Sequence, residues 1–96
     1  MIKIKIGELY IFHEGHLGMD EWMYETPDII NNKMIGYVQA NIPFVLLSIV
    51  RIPEELKQND EQWYALKIVF CGNETKPPAG WLFLTETEMP LIKAFK

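Results

Sequence analysis

The stretch PFVLLSIVRIPEELKQNDEQWYALKIVF, residues 43–70, decides the fold class. It holds two apolar runs, about 44–52 and 63–70, parted by a polar segment. Both read as strands, because β-branched and aromatic residues dominate them and turn-forming residues bound them. The first run is almost continuously apolar, which implies that both of its faces are covered or that it bends across a barrel. PEELKQNDEQ predicts a single helical turn starting at Pro53, too short and too polar for a core helix.

Working outward, the opening IKIKIGELYIF has period two, with Ile2, Ile4 and Ile6 on one face and Lys3 and Lys5 on the other. It predicts a first strand over about 2–12, in which Gly7 marks a bulge or a change of face. GWLFL at 80–84 and PLIKAF at 90–95 complete the strands, and GNETKPPAG at 72–80 is a turn. Residues 13–43 are too long for a structureless loop in a compact domain. Within them MDEWMY suggests a helical turn, and DIINNKMIGYVQ suggests two extended arms around Asn31 and Asn32. The expectation is an all-β single domain over 1–96, a small antiparallel barrel or sandwich. Same-face positions predict a core of Ile4, Ile6, Leu9, Val45, Leu47, Ile49, Leu66, Ile68, Phe70, Leu82 and Leu84.

With 96 residues of which 49% are hydrophobic, the chain has enough apolar material for a core. Its net charge of −4 supplies no long-range attraction to phosphate backbones or acidic membranes. Arg51 is the sole arginine, which counts further against nucleic acid, since bidentate phosphate and guanine contacts favour Arg. The excess of 13 acids over 9 bases is mild for an acidic DNA mimic. Cys71 is the sole cysteine, so neither a disulfide framework nor a four-cysteine zinc site is available. The N-terminus lacks the continuous apolar core of a signal peptide. No apolar run approaches the ~20 residues of a spanning helix, so a soluble cytoplasmic protein is the simplest expectation.

HEGHLGMDEWMYETPD, residues 13–28, holds both histidines. His13 and His16 lack a third strong ligand at motif spacing, so no bound zinc or other cofactor is expected. Ser48, the sole serine, lies inside an apolar strand and reads as a buried hydroxyl bonded to backbone, not as a nucleophile. Cys71 has no cationic neighbour in sequence to lower its pKa. Enzymatic chemistry finds little support. The aromatics carry the stronger signal: Trp22, Tyr24, Tyr37, Trp63, Tyr64 and Trp81 exceed what a small core needs. Trp63 and Tyr64 are neighbours, so on a strand one faces in and one faces out. Trp22 and Tyr24 lie among Glu14, Asp20, Glu21, Glu25 and Asp28, a mixture that suits a protein or peptide partner. The bland alternative makes Trp22 a mini-core for its own loop.

The order of these pieces resembles an SH3-like barrel: a first strand, a long hairpin-like loop, two central strands, a hairpin, a fourth strand, a short helical turn and a final strand. ELYIF resembles the aromatic segment that opens the acidic loop of SH3 domains. WYAL at 63–66 looks like their paired aromatics, and Gly80-Trp81 sits where they carry Gly before an aromatic or aliphatic residue. The resemblance implies about five strands, a long loop after the first, and partner-facing roles for Tyr10 and Phe12. The Pro-x-x-Tyr of the proline-peptide groove is absent, since WLFLTETE follows Gly80. The Ile-, Lys-, Asn- and Glu-rich composition also resembles small accessory proteins of AT-rich bacteria and their phages.

These readings converge on a non-enzymatic module that binds a partner protein or peptide through Tyr10, Phe12, Glu14, Asp20, Glu21, Trp22, Tyr24, Trp63 and Tyr64. The loop acids would steer basic groups of the partner. The alternative is a binder of nucleotides or other cyclic metabolites by aromatic stacking, with a homo-oligomer building the pocket that one barrel lacks.

Overall fold

The computed structural model describes residues 4–12, 22–38, 42–56, 60–71, 78–88 and 92–95. They form strands β1 (Leu9–Phe12), β2 (Trp22–Tyr24), β3 (Met34–Tyr37), β4 (Phe44–Arg51), β5 (Trp63–Phe70), β6 (Ala79–Thr85) and β7 (Ile92–Ala94), with a 3-10 turn at Glu54–Leu56 between β4 and β5. All seven strands join one antiparallel sheet in the order β3-β2-β6-β5-β4-β1-β7. The all-β expectation stands, and the single turn after Pro53 is present, closed by the Leu56 N–H donating to the Pro53 carbonyl. The expected five-strand barrel is replaced by seven strands in one unclosed sheet, with β3 and β7 at its two edges.

The two added strands lie within the expected long loop: β3 falls in the second of the two arms anticipated around Asn31 and Asn32, whereas residues 28–33 form no strand and β3 pairs with β2 instead. MDEWMY contributes β2 rather than a helical turn, because Met23 is fully buried while Trp22 and Tyr24 face the other way. That alternation has period two. β2 pairs with β3 and also with β6, so the excursion after β1 returns to the sheet as a hairpin.

Among the described residues no helix covers the sheet, so its apolar face must bury itself. Val38, just past β3, and Ile92 on β7 belong to the same buried cluster. A flat sheet of this order would hold those edges about 29 Å apart at ~4.8 Å per strand, and a single cluster that reaches both ends fits a twisted, curved sheet. Phe44 is the hub of one half of the core. Its ring lies 5.3 Å from Phe12, 5.9 Å from Phe70 and 6.3 Å from Tyr10. Leu46, Leu66, Ile68, Leu82 and Leu84 fill the remainder and are fully buried.

The predicted core was right on β5 and β6 and wrong on β1 and the first half of β4. Leu9 and Ile6 are exposed, whereas Tyr10 and Phe12 point inward. The period-two pattern does not run from residue 2 to 12. Residues 6 and 7 form a turn with Gly7 at φ 90°, which ends the first alternation before β1 begins. On β4 the core residues are Phe44 and Leu46, not Val45 and Leu47. Leu46 pairs with Ile68 and Ser48 with Lys67, leaving Leu47 unopposed as a β-bulge. The bulge shifts the inward parity by one residue, so Ile49, opposite Leu66, again packs on the core.

Gly80 is where the β2–β3 hairpin meets β6. A Cβ at this position would lie 3.2 Å from Ile35 Cδ1 and 3.3 Å from Met23 Cβ. Met23 Cβ sits on the backbone and cannot swing away.

Two outcomes are expected from chemical denaturation. Leu46→Lys places a charge in a fully buried site and abolishes folding, whereas Leu47→Lys at the neighbouring bulge changes stability by under ~0.5 kcal/mol. Equal losses at both sites would contradict the bulge. Gly80→Ala overpacks the hairpin contact and costs ~1–3 kcal/mol, part of which Ile35→Val restores. A neutral Gly80→Ala would mean that the hairpin does not dock on β6 as described.

Candidate interaction face

The side of the sheet opposite the core is built by the same alternation. On β6, Leu82 and Leu84 point in, so Trp81 and Phe83 point out. On β5, Leu66 and Ile68 point in, so Ala65 and Lys67 point out. Cross-strand register aligns these residues into rows. Met34, Tyr24, Trp81, Lys67 and Ser48 stand opposite one another in succession across β3, β2, β6, β5 and β4. Phe83, Ala65 and Val50 form a second row. Ala79, Val69, Val45 and Leu9 form a third, continued by Phe95, whose N–H donates to the Leu9 carbonyl.

Aromatic contacts hold the β2 end of this face together. The Trp22 and Tyr37 rings are 4.2 Å apart, and Tyr24 and Phe83 are 5.3 Å apart. The face nevertheless stays open to solvent: Tyr37 is 54% exposed and Met34 49%. Exposed aromatic and apolar side chains grouped on one face mark binding surfaces more often than scattered ones do.

Charge is segregated between strands and turns. The charged residues within the seven strands are Arg51, Lys67 and Lys93, all basic. The described acids, Glu8, Glu25, Asp28, Glu54, Glu55, Asp60, Glu61, Glu86 and Glu88, all lie outside the strands. Arg51 pairs with the inward Tyr64, which leaves Lys67 and Lys93 as the charges on the outer face.

The segment between β2 and β3 is ordered by its own polar side chains. The Asn32 amide donates to the carbonyls of Thr26 and Asp28, and its oxygen accepts from the N–H groups of Thr26 and Lys33. Asp28 Oδ1 accepts from the N–H groups of Ile30 and Asn31. These bonds set the hairpin turn from which β3 presents Met34 and Tyr37.

The expected site residues divide into three groups. Trp22, Tyr24 and Trp63 lie on the outer face, Trp63 opposite Thr85. Tyr64 packs against the core, as the in-and-out alternation of neighbours requires. Tyr10 and Phe12 are 4% and 1% exposed, so they have almost no surface to offer a partner. Burial is the main influence pushing the Tyr10 phenol above its ordinary pKa. The Lys5 N–H opposes it and the Glu8 carboxylate adds to it. Glu14, Asp20, Glu21, His13 and His16 lie outside the described residues. Ser48 was expected to be buried and backbone-bonded. It is half-buried and faces outward opposite Lys67, because the bulge at Leu47 turns it away from the core.

Sequence reasoning missed Met34, Tyr37, Phe83, Lys67 and Trp81 as members of the site. The alternation in GWLFLT already places Trp81 and Phe83 on one side. Nothing local to MIGY shows that it pairs with WMY. Among the described residues no three His, Cys, Asp or Glu side chains gather as a metal site, and no helix is long and apolar enough to cross a membrane.

Asn32→Ala removes four hydrogen bonds at an exposed turn and is expected to cost about 1 kcal/mol. Amide exchange should quicken at Thr26 and Lys33 while the β5 amides keep their protection. Unchanged exchange at both turn amides would exclude Asn32 as the organiser of the hairpin.

No protein-family model matches the chain, and neither a curated protein nor a solved structure matches it. Its function therefore has to be argued from the chemistry of this face.

Proposed function

We propose that the chain is a non-enzymatic protein-interaction module, SH3-like in its order of elements, which binds a partner on the outer face of its sheet. The observation that carries this reading is the aromatic and apolar surface on which Tyr37 and Met34 are exposed and Trp22, Tyr24, Trp81 and Phe83 are half-buried. Trp and Tyr are favoured anchors in protein interfaces, where they combine a large apolar area with a polar tip. The SH3-like part of the reading is supported by a first strand, a hairpin in the loop that follows, two long central strands, a fourth strand and a short last one. Asp20 and Glu21 directly precede Trp22 in the chain. We assign them, with Glu14, the steering of basic groups at the rim of the partner.

Trp22 contributes to the fold as well as to the surface, because its ring stacks on Tyr37. Its removal is expected to cost ~0.5–1.5 kcal/mol of stability. Tyr37 and Met34, more than half and about half exposed, are cleaner probes of binding.

The test is affinity capture from the native host, followed by titration of the purified partner. Tyr37→Ala with Met34→Ala should weaken that complex by ~2 kcal/mol or more, while the thermal midpoint moves by only a few degrees. Charge reversal at Asp20 and Glu21 should slow association, and the effect should shrink as salt rises. An interface indifferent to Tyr37 and Met34 would refute the assignment. If no protein binds and a nucleotide or cyclic metabolite raises the thermal midpoint instead, the face is a stacking platform for small ligands.

A further inference from the structure

We infer that Ser48, Lys67 and Trp81 form a subsite for a carboxylate carried by the partner, so the face selects a peptide segment with an acidic residue between apolar ones. This rests on the protein-interaction reading above and gives it a specific chemistry. Ser48 stands opposite Lys67 on β4 and β5, and Lys67 stands opposite Trp81 on β5 and β6. Directly opposed residues have Cβ atoms about 5 Å apart, so the three side chains occupy about 10 Å of one row. Each carries a hydrogen-bond donor: a hydroxyl, an ammonium and an indole N–H. Among the described residues none of these three side chains has a hydrogen-bond or ion-pair partner. Tyr24 and Met34 continue the row on one side, and Phe83 and Val50, either side of the fully buried Ala65, form the apolar row alongside.

Charge complementarity identifies the occupant. The chain is acidic overall, yet among the described strand residues the charges on the outer face are Lys67 and Lys93. Among the described strand residues, a second copy laid face to face would bring the same two lysines and no acid to pair with them. Pairing at the sheet edges is also discouraged. β3 is short and bulged at Ile35, between the partners of Met23 and Tyr24, and β7 has three residues with Lys93 at its centre. A segment with one carboxylate flanked by aliphatic or aromatic side chains matches both the donors and the apolar rows. The carboxylate gains charge-assisted hydrogen bonds at Lys67, and its neighbours cover the rings.

A random peptide library displayed on phage and selected on the folded chain tests this assignment. Wild type should enrich peptides with Asp or Glu between apolar residues. Lys67→Met should bind a selected peptide about tenfold more weakly, in line with the loss of one charge-assisted bond. Lys67→Glu should shift the selection toward Lys and Arg. Lys67 is exposed, so both variants keep the wild-type melting midpoint. Selected peptides that lack an acid and bind Lys67→Glu as well as wild type would overturn the subsite but leave the interaction face standing. Failure of the folded wild type to enrich any peptide would overturn both. Equal, Lys67-dependent binding of inorganic phosphate would make the row a general anion site and defeat the peptide assignment.

Discussion

A sheet without a covering helix has only its own curvature with which to bury an apolar face. In this protein that constraint governs everything else among the described residues. The buried hydrophobic residues form one cluster that runs from Val38, beside β3, to Ile92 on β7, and a curved sheet lets its inward side chains pack on one another. Bending has to be built into the strands. The bulge at Leu47 lies in the middle of β4 and the irregularity at Ile35 lies at the β3 edge. Bulges increase local twist and re-aim side chains. The Leu47 bulge also decides which residues of FVLLSIVR are core and which are surface.

The same alternation creates the outer surface. Once every strand commits one face to the core, the alternate residues have nowhere to go but outward. In this chain those residues are unusually aromatic: Trp22, Tyr24, Tyr37, Trp63, Trp81 and Phe83. Some of their area is recovered by contact with one another, as in the Trp22–Tyr37 and Tyr24–Phe83 pairs. The remainder is left in water, as the exposure of Tyr37 shows. Among the described residues the acids lie outside the strands and the outer-face charges within them are lysines, opposite in sign to the net charge of the chain.

The sequence carried the fold class because period-two alternation and turn residues are local signals. It carried the faces of β5 and β6 for the same reason. WYALKIVF and GWLFLT each run without interruption, so their parity can be read from any one residue. β1 and β4 were misread because each alternation is broken, by the Gly7 turn and by the Leu47 bulge. A one-residue shift moves every later side chain to the opposite face. Leu9 was thereby expected in the core where Tyr10 and Phe12 are buried, and the partner-facing role that the SH3 resemblance implied for those two rings meets their burial.

The sequence by itself determined an all-β chain with two long central strands, a helical turn after Pro53 and more aromatic residues than a core requires. These follow from side-chain chemistry and spacing along the chain. Only the tertiary structure decided that residues 22–37 return to the sheet beside β6, and that Met34, Tyr24, Trp81, Lys67 and Ser48 fall into one row. Those neighbours are distant in sequence. Their alignment depends on hydrogen-bond register between strands, which a local pattern cannot encode when several registers bury comparable apolar area.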